Sequence, residues 1–360
     1  FYILIIIVLS LLLIGKSDHP IDSNLYHHPY ISYLQTEKII LGISNIHSRF
    51  GHVSFLQFVQ ALYSNDFLSI YSLSNINIIF YSIFFIFLLK TIFDKKKNNF
   101  IFILTILISS FFLIKLARYR EFGNDLIPFI VASYFLIKIL DSSYKLSKKE
   151  NNLLTYLPIF VFIMLTHKIT YLFTSLIFIC LLNRQTVMIY FTDRKNIVIL
   201  SLSIFITFIW LFKNLLETSC LIYPIIQTCF NDLSWYPIGE SNPITAMINA
   251  EAWSKGWIDK PSNMSLSMLE FNQSFNWVGV WFGKHFFKIL EIISPILIVI
   301  VLIKIIIISK PKKIKENYLI KNKYKKLIIN ISILNLIGLI FWFLNAPIFR
   351  YGSFYIVAFI

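Results

Sequence analysis

Charged residues are scarce in this sequence. Asp, Glu, Lys and Arg together make up 14% of its 360 residues, whereas hydrophobic residues make up 57%. In soluble domains about one quarter of the residues are charged, so this chain lacks the polar residues needed to cover a water-exposed surface. The scarcity of charge therefore excludes an ordinary soluble protein and predicts an all-α polytopic protein that lies in a lipid bilayer.

The charges that are present have one dominant sign, with a net charge of +15. Such an excess would also suit nucleic acid, but the basic residues lie in short loops beside apolar runs. This arrangement is typical of the positive-inside rule, by which Lys and Arg stay on the cytoplasmic side of a membrane. The sequence therefore predicts a lipid bilayer, and no nucleic acid, as the partner of the basic loops.

The apolar residues are grouped into runs that approach the length of a membrane span, which is about 20 residues. The first and last runs are short, so we expect the chain to be truncated at both ends. The first run has neither the basic segment nor the cleavage site of a signal peptide. We predict a single membrane-embedded domain over residues 1–360 with about ten transmembrane segments, at 1–14, 77–93, 100–116, 125–140, 153–166, 169–182, 197–212, 289–309, 327–344 and 350–360.

Four loops rich in lysine and arginine orient these segments. If all four lie in the cytoplasm, an even number of spans must separate each pair. This condition holds only if residues 153–182 form a two-helix hairpin with His167 and Lys168 at its outer tip. The chain is then a multi-pass protein of a bacterial inner membrane. The predicted cytoplasmic loops are 94–99, 141–152, 183–196 and 310–326, and the predicted outer loops are 15–76, 117–124 and 213–288.

The first outer loop contains two acids followed by two histidines. Asp18 and Asp22 are candidate catalytic residues, because a carboxylate at a membrane surface can act as a general base or bind a divalent cation. His27 and His28 are candidate substrate-binding residues, although all four can also be ordinary solvated loop residues. Their spacing matches no zinc pattern. A stretch with helical character is expected to follow, over residues 37–52.

The second outer loop is dense in charge. Arg118 and Arg120 lie outside against the positive-inside trend, and basic residues in that place suit a phosphate or diphosphate. Glu121 and Asp125 are further candidate catalytic acids in the same loop. Asp125 at the start of a span can also be no more than a helix cap.

Two more cations are predicted on the outer side. Lys168 at the hairpin tip either reaches to the lipid headgroups or binds an anion, and Arg350 opens the last apolar run. Cys220 and Cys229, which have eight residues between them, lie outside in an oxidising compartment. They are a candidate disulfide, with two buried thiols as the alternative, and Cys180 is expected to be an apolar filler within a span.

The order of these features resembles the membrane-embedded glycosyltransferases of the GT-C type, and within that group a set of bacterial membrane proteins. The resemblance depends on short motifs that are spread over most of the chain. The motifs are Asp22 with Tyr26-His27, the stretch from Gly42 to Gly51, Glu121 or Asp125, Thr166-His167-Lys168, Lys213-Asn214 with Tyr223-Pro224, and Arg350-Tyr351-Gly352.

The resemblance implies a GT-C-like helical bundle with two large extracytoplasmic loops and an active site at the outer membrane interface. It also implies a polyprenyl-phosphate-linked sugar as donor and a cell-surface acceptor. Asp22 would then deprotonate the acceptor hydroxyl, with Asp18 as the alternative base. Glu121 or Asp125 would support the base or hold a divalent cation. The residues that would bind the donor phosphate are Lys168 and Arg350.

Two other functions remain open at this point. A polysaccharide polymerase or ligase would depend on Arg and His in its largest outer loop, but the loop 213–288 contains no Arg and only His285. A transporter or flippase typically has ionisable residues, Gly or Pro in mid-membrane, whereas Lys115, Lys138 and Lys304 lie near the ends of their spans. The glycosyltransferase is favoured, and the sequence makes no prediction about the oligomeric state.

Overall fold

The computed structural model describes residues 23–52, 54–63, 73–94, 98–116, 126–144, 153–308 and 318–359, together with Leu4. Within these residues the regular structure is helical and contains no strand, which confirms the all-α prediction. A short π-helix, Ser23–His27, comes first, and a 3₁₀ helix, Ile169–Leu181, lies between α6 and α7. The α-helices are α1 (His28–Thr36), α2 (Phe55–Tyr63), α3 (Leu73–Phe93), α4 (Asn99–Leu116), α5 (Leu126–Tyr144), α6 (Leu157–His167), α7 (Arg184–Thr192), α8 (Arg194–Thr218), α9 (Pro243–Lys255), α10 (Met268–Gln273), α11 (Trp277–Ile308), α12 (Tyr318–Asn345) and α13 (Phe349–Phe359).

Each apolar run predicted from residue 77 onward contains a helix, whereas the run 1–14 lies outside the described residues apart from Leu4. Two helices begin well before the runs that predicted them. α11 begins at Trp277 and α12 at Tyr318. Hydropathy marks only the apolar part of a helix, and polar residues can continue the same helix beyond it. Part of the segment predicted as the second large loop is therefore helical.

Three helices in the described part of the chain are long and apolar enough to cross a membrane: α5, α8 and the portion Tyr324–Asn345 of α12. The 3₁₀ helix and α7 pass the same test only as a pair, and they are bent by 103°. In α8 only 17% of the most apolar 18-residue window is buried, against 67% in α5. An apolar helix with so little protein around it exposes a large hydrophobic surface.

Side-chain caps explain where α7 and α8 begin. The Asn183 side chain accepts a hydrogen bond from the Thr186 N–H, at 2.8 Å, at the start of α7. The Asp193 side chain accepts one from the Lys195 N–H, at 2.9 Å, at the start of α8. Asn and Asp favour these positions because they satisfy N–H groups that have no partner within the helix. α8 ends where Ser219 adopts a left-handed conformation, with φ 59°.

The segment predicted as a helical hairpin is broken at one residue. α6 ends at His167, Lys168 is extended with φ −154° and ψ 107°, and the 3₁₀ helix begins at the next residue. The two helices pack against each other through Phe160 and Phe178, whose ring centroids are 5.0 Å apart. Lys168 therefore lies at the tip of two adjacent helices.

The helical stretch expected over residues 37–52 is interrupted. α1 ends at Thr36, and the chain continues with two 3₁₀ turns, Ile43–Asn45 and Ser48–His52. Gly42 has φ 65°, a conformation that glycine adopts without steric cost. A Cβ atom on Gly42 would also lie 2.8 Å from the Cβ atom of Trp235. Contact with a distant segment, rather than local helix propensity, therefore decides the course of this stretch.

The main hydrophobic cluster joins α3, α4, α5, α6, the 3₁₀ helix, α12 and α13. Aromatic rings form much of it, including Phe111 and Phe129, whose centroids are 5.4 Å apart. Tyr171 of the 3₁₀ helix and Tyr355 of α13 stack at 6.0 Å. This packing brings the start of the 3₁₀ helix beside the start of α13.

Candidate functional site

Two predicted cations converge on one aromatic ring. The Lys168 ammonium lies 4.0 Å from the centroid of the Tyr351 ring, and the Arg350 guanidinium carbon lies 5.3 Å from the same centroid. Lys168 comes from the tip between α6 and the 3₁₀ helix, and Arg350 from the first turn of α13. A cation over an aromatic face is stabilised by the ring quadrupole. Two residues that the sequence predicted separately thus belong to one site.

Hydrogen bonds hold the first turn of α13 against the 3₁₀ helix. The Tyr171 hydroxyl donates to the Arg350 carbonyl oxygen at 3.3 Å and lies 2.8 Å from the Ser353 hydroxyl oxygen. The Tyr355 hydroxyl donates to the Thr170 carbonyl oxygen at 2.5 Å. Because Tyr171 and Tyr355 are fully buried, these bonds lie in a packed interior. The relative position of Lys168 and Arg350 is therefore built into the core.

His52 and Arg49 belong to the segment predicted as the first outer loop, residues 15–76, and they lie near these cations. The His52 side chain is exposed to solvent, yet desolvation by the surrounding protein, with further contributions from Arg49 and Lys168, lowers its pKa to about 3. The contributions of Arg49 and Lys168 to this pKa indicate that both cations lie near His52. At neutral pH His52 is uncharged and can donate or accept a hydrogen bond. We call Arg49, His52, Lys168 and Arg350 the basic recess.

Tyr223 belongs to the segment predicted as the second large outer loop, residues 213–288, and its ring packs against His52. The two rings meet edge to face with centroids 5.2 Å apart. The Tyr223 hydroxyl donates to the Ser241 carbonyl oxygen at 2.7 Å, which fixes the ring. A Cβ atom on Gly51 would lie 2.5 Å from a carbon of this ring, so only glycine permits the approach. The ring and Gly51 together hold the Ser48–His52 turn in place.

The basic recess has the chemistry of an anion site. Lys supplies a compact charge with three donors, and Arg supplies a planar fork that matches phosphate oxygens. The cations come from three segments that are far apart in the sequence. A group of cations from separate segments can bind a phosphate group.

His27 connects to the recess through Tyr26. The His27 and Tyr26 rings lie 4.4 Å apart, and the Arg49 guanidinium carbon lies 6.0 Å from the Tyr26 centroid. Gln57 Nε2 lies 3.2 Å from His27 Nδ1. His28 follows as the first residue of α1 and is partly buried. Both Arg49 and His27, a predicted substrate-binding residue, therefore approach the ring of Tyr26.

The other predicted site residues lie outside the described residues, so their roles stay predictions. Within the described part of the chain, no group of three or more His, Cys, Asp or Glu side chains could hold a metal ion. The predicted divalent cation would depend on acids of the undescribed segments. The six residues concerned are Asp18, Asp22, Arg118, Arg120, Glu121 and Asp125.

Lys213 was named from the sequence, but the buried polar group that this residue forms at the C-terminal end of α8 was not predicted. Lys213 Nζ lies 3.0 Å from Glu217 Oε2, and the Tyr30 hydroxyl donates to both Glu217 oxygens, at 2.9 and 3.0 Å. All three side chains are less than 10% exposed. Lys213 also lies 4.3 Å from the Trp210 ring centroid. The spacing of Lys213 and Glu217, four apart on one helix face, was the sequence signal for their pairing.

The last carbonyl groups of α8 receive donors from both long segments. Trp235 Nε1 donates to Leu215 O at 3.0 Å, the Gly42 N–H to Leu216 O at 2.9 Å, and the Ser44 hydroxyl to Glu217 O at 3.1 Å. Carbonyl groups at a helix C-terminus have no partner within the helix, so these bonds satisfy them. We call this meeting point, together with Tyr30, Lys213 and Glu217, the helix-end junction. It docks the segment that carries Arg49 and His52 onto α8.

The structure joins Cys220 and Cys229 in a disulfide directly after the helix-end junction. The two residues also form an isolated bridge between antiparallel backbone segments. Cys180 is a free cysteine of intermediate burial in the 3₁₀ helix. The disulfide closes the short loop that carries Tyr223.

Replacing Cys229 by Ser is expected to destabilise the protein by about 2–3 kcal/mol, because the cross-link no longer restricts a loop of this length in the unfolded chain. The thermal unfolding midpoint of the full chain in detergent should fall. Cys180→Ser is the matched control and should leave the midpoint nearly unchanged. Equal midpoints for the wild type and Cys229→Ser would contradict the expectation.

A family model described as a domain of unknown function (DUF8201) matches residues 1–357. The match covers nearly the whole chain, so the chain belongs to this family. No curated protein and no solved structure matches the chain.

Proposed function

We propose that this member of the DUF8201 family is a glycosyltransferase of the bacterial inner membrane. It transfers a sugar from a polyprenyl-phosphate donor to a cell-surface acceptor at the outer face. The observation that carries the proposal is the convergence of Lys168 and Arg350 on Tyr351, with Arg49 and His52 beside them. This arrangement of cations suits the phosphate of the donor.

The exposed apolar surface of α8 supports the placement in a membrane. Phe205 and Phe208 are 61% and 65% exposed, and the mean hydropathy of the apolar window of α8 is 2.0. A surface of this kind is stable in contact with lipid and unstable in contact with water. The multi-pass arrangement with about ten spans and cytoplasmic basic loops follows from the positive-inside rule.

An apolar cavity of about 390 Å³ that includes Phe349, the first residue of α13, supports a donor with a lipid chain. It lies between α11, α12 and α13. The indole N–H groups of Trp281 and Trp342 donate to Pro347 O and Ile348 O, so the rings turn apolar surface toward the cavity. The lining includes Trp281, Ile289, Leu339, Phe343, Phe349 and Ile356.

The first turn of α13 borders both the cavity and the recess. Phe349 and Ile356, seven positions apart on one helix face, line the cavity. Arg350, the next residue after Phe349, approaches the Tyr351 ring together with Lys168. A molecule with an anionic head and a long apolar chain would satisfy both surfaces at once. A polyprenyl phosphate has this form.

In the proposed reaction the acceptor hydroxyl oxygen attacks the anomeric carbon of the donor sugar. The bond between that carbon and the phosphate oxygen breaks, and its electron pair stays on the phosphate. The hydroxyl proton passes to a carboxylate of the first outer segment, Asp22 or alternatively Asp18, with Glu121 or Asp125 in support. Lys168 and Arg350 stabilise the negative charge that develops on the leaving phosphate.

The proposal is tested by deleting the gene in its bacterial host and analysing the surface glycans by mass spectrometry. We expect the deletion to remove one hexose or pentose from a surface glycan. Wild-type protein should restore that sugar, whereas Asp22→Asn at the same protein level should not. Unaltered glycans in the deletion strain would contradict the function, and restoration by Asp22→Asn would remove Asp22 from the mechanism.

A further inference from the structure

The short helix α7 carries apolar side chains that the protein does not cover. Met188 and Phe191 are 63% and 59% exposed, and Ile189 between them is 46% exposed. α7 has nine residues, which gives a length of about 13 Å, too short to cross a bilayer. Neighbouring exposed apolar side chains with polar residues around them indicate contact with a membrane or with another protein.

The direction of α7 differs from that of the helix before it. The 3₁₀ helix and α7 are bent by 103°, so the two helices lie nearly at right angles. The turn is made by Leu182 and Asn183, and the Asn183 side chain caps the start of α7. If the 3₁₀ helix crosses the bilayer, as proposed above, α7 runs along the bilayer surface.

Polar contacts hold α7 and the start of α8 against the bundle. The buried Thr186 hydroxyl donates to the carbonyl oxygen of the last residue of the 3₁₀ helix at 3.0 Å. Tyr190, one turn later, packs against the main hydrophobic cluster. The Thr155 hydroxyl donates to Asn196 Oδ1 at 2.7 Å, which connects the start of α8 to the segment before α6. The exposed side of α7 is therefore set by the fold.

Three exposed cations lie at the two ends of this apolar surface. Arg184 is the first residue of α7, and Arg194 and Lys195 are the first two residues of α8. The acid among them, Asp193, caps α8 by accepting a hydrogen bond from the Lys195 N–H. The exposed apolar surface of α8 begins two residues later, with Ile197 at 43%. The cations thus lie where apolar surface begins, as lipid phosphates do in a bilayer.

We propose that α7 is an interfacial helix that binds anionic phospholipids of the cytoplasmic leaflet. Met188 and Phe191 contact the acyl chains, and the three cations bind lipid phosphates. The inference rests on the membrane placement in the proposed function and does not depend on sugar transfer. The positive-inside rule accounts for the cations alone, whereas the helix adds exposed apolar side chains beside them. The two together form a binding surface.

The charge of this surface favours lipid over a second copy of the chain. A symmetric dimer brings the same patch of both copies together, so the cations of one α7 would face those of the other. Like charges brought together at an interface are unfavourable. An anionic headgroup neutralises the same cations.

The placement of α7 is tested by spin labelling of the full-length chain in vesicles of phosphatidylethanolamine and phosphatidylglycerol. Cys180→Ser is the background for single labels. We expect the label at Met188→Cys to be reached more readily by oxygen, which dissolves in lipid, than by a water-soluble nickel chelate. Asp232→Cys, an exposed position, should show the opposite. A Met188→Cys label in water, or dipolar broadening between two copies, would overturn the inference.

A label at Phe208→Cys separates this inference from the proposed membrane placement, because Phe208 is an exposed residue of α8. If the Phe208→Cys label is in lipid and the Met188→Cys label is in water, the interfacial helix alone fails. If both labels are in water, the membrane placement fails with it.

The role of the cations is tested by native mass spectrometry of the full-length protein in detergent with added phosphatidylglycerol or phosphatidylcholine. Because each cation near an anionic lipid contributes about fivefold, loss of three should lower the affinity for phosphatidylglycerol about 100-fold. Binding of phosphatidylcholine should not change. The variant combines Arg184→Gln, Arg194→Gln and Lys195→Gln. The matched control removes three cations of the predicted outer loops, with Lys38→Gln, Lys260→Gln and Lys284→Gln, and should bind like the wild type.

A charge-preserving variant separates loss of binding from loss of structure. It combines Arg184→Lys, Arg194→Lys and Lys195→Arg, and it should retain the preference for phosphatidylglycerol. Equal affinity for this lipid in the wild type and in the glutamine variant of α7 would overturn the role of the cations. An equal loss in the outer-loop control would also overturn it, because the binding would then follow net charge and not α7.

Discussion

Replacing Lys168 by Met is expected to lower the affinity of the purified full-length protein for farnesyl phosphate by about 30- to 1000-fold. Lys168 lies over the Tyr351 ring beside Arg350 and is half-buried. Loss of the Lys168 ammonium removes a charged hydrogen-bond donor to the phosphate, and water does not replace this donor. Met keeps most of the volume of the side chain, so the variant removes charge with little loss of packing. Calorimetry in detergent measures the effect.

Lys260→Met is the matched control for this experiment. Lys260 also lies over an aromatic ring, 4.7 Å from the Trp257 centroid, and donates to Met264 O at 2.9 Å. The two variants therefore remove the same charge from the same kind of ring contact in different segments. We expect Lys260→Met to bind farnesyl phosphate like the wild type. Equal affinity in Lys168→Met and Lys260→Met would show that the basic recess does not bind the phosphate.

The parts of the site that the sequence predicted are those that depend on local patterns. Charge in the loops placed Lys168 and Arg350 on the same side of the predicted bilayer, and the structure brings both to the ring of Tyr351. The break at His167 was also predictable, because two polar residues interrupt an apolar run. The shared ring was not predictable, since the segments are about 180 residues apart and periodicity carries no information about pairing.

The helix-end junction shows the same limit more clearly. Tyr30 and Glu217 are 187 positions apart, and Asn45 donates to the carbonyl of Trp235 across 190 positions. A polar residue in a loop has no sequence feature that names its partner. Gly42 was a visible exception, because a glycine within a helical pattern indicates a possible break. The prediction of a helical stretch over residues 37–52 did not take Gly42 into account.

Replacing Glu217 by Leu is expected to lower the free energy of unfolding by about 3–5 kcal/mol, because it leaves the Lys213 ammonium buried without a counter-charge. The same change removes the acceptor of the Tyr30 hydroxyl. The thermal unfolding midpoint of the full chain in detergent measures the loss. Asp259→Asn is the comparison, because it breaks the exposed ion pair with Lys284, and exposed pairs contribute about 1 kcal/mol or less.

A triple variant with Lys213→Met, Glu217→Leu and Tyr30→Phe separates the buried charge from the contact itself. Replacing all partners of a buried polar group by apolar side chains is often nearly neutral, so we expect the triple variant to unfold within about 1 kcal/mol of the wild type. A triple variant as unstable as Glu217→Leu would contradict this account. If the triple variant is stable but binds farnesyl phosphate weakly, the hydrogen bonds of the helix-end junction are needed to orient the segment that carries Arg49 and His52. Apolar side chains can fill the same space, but they do not select one orientation as a hydrogen-bonded carboxylate does.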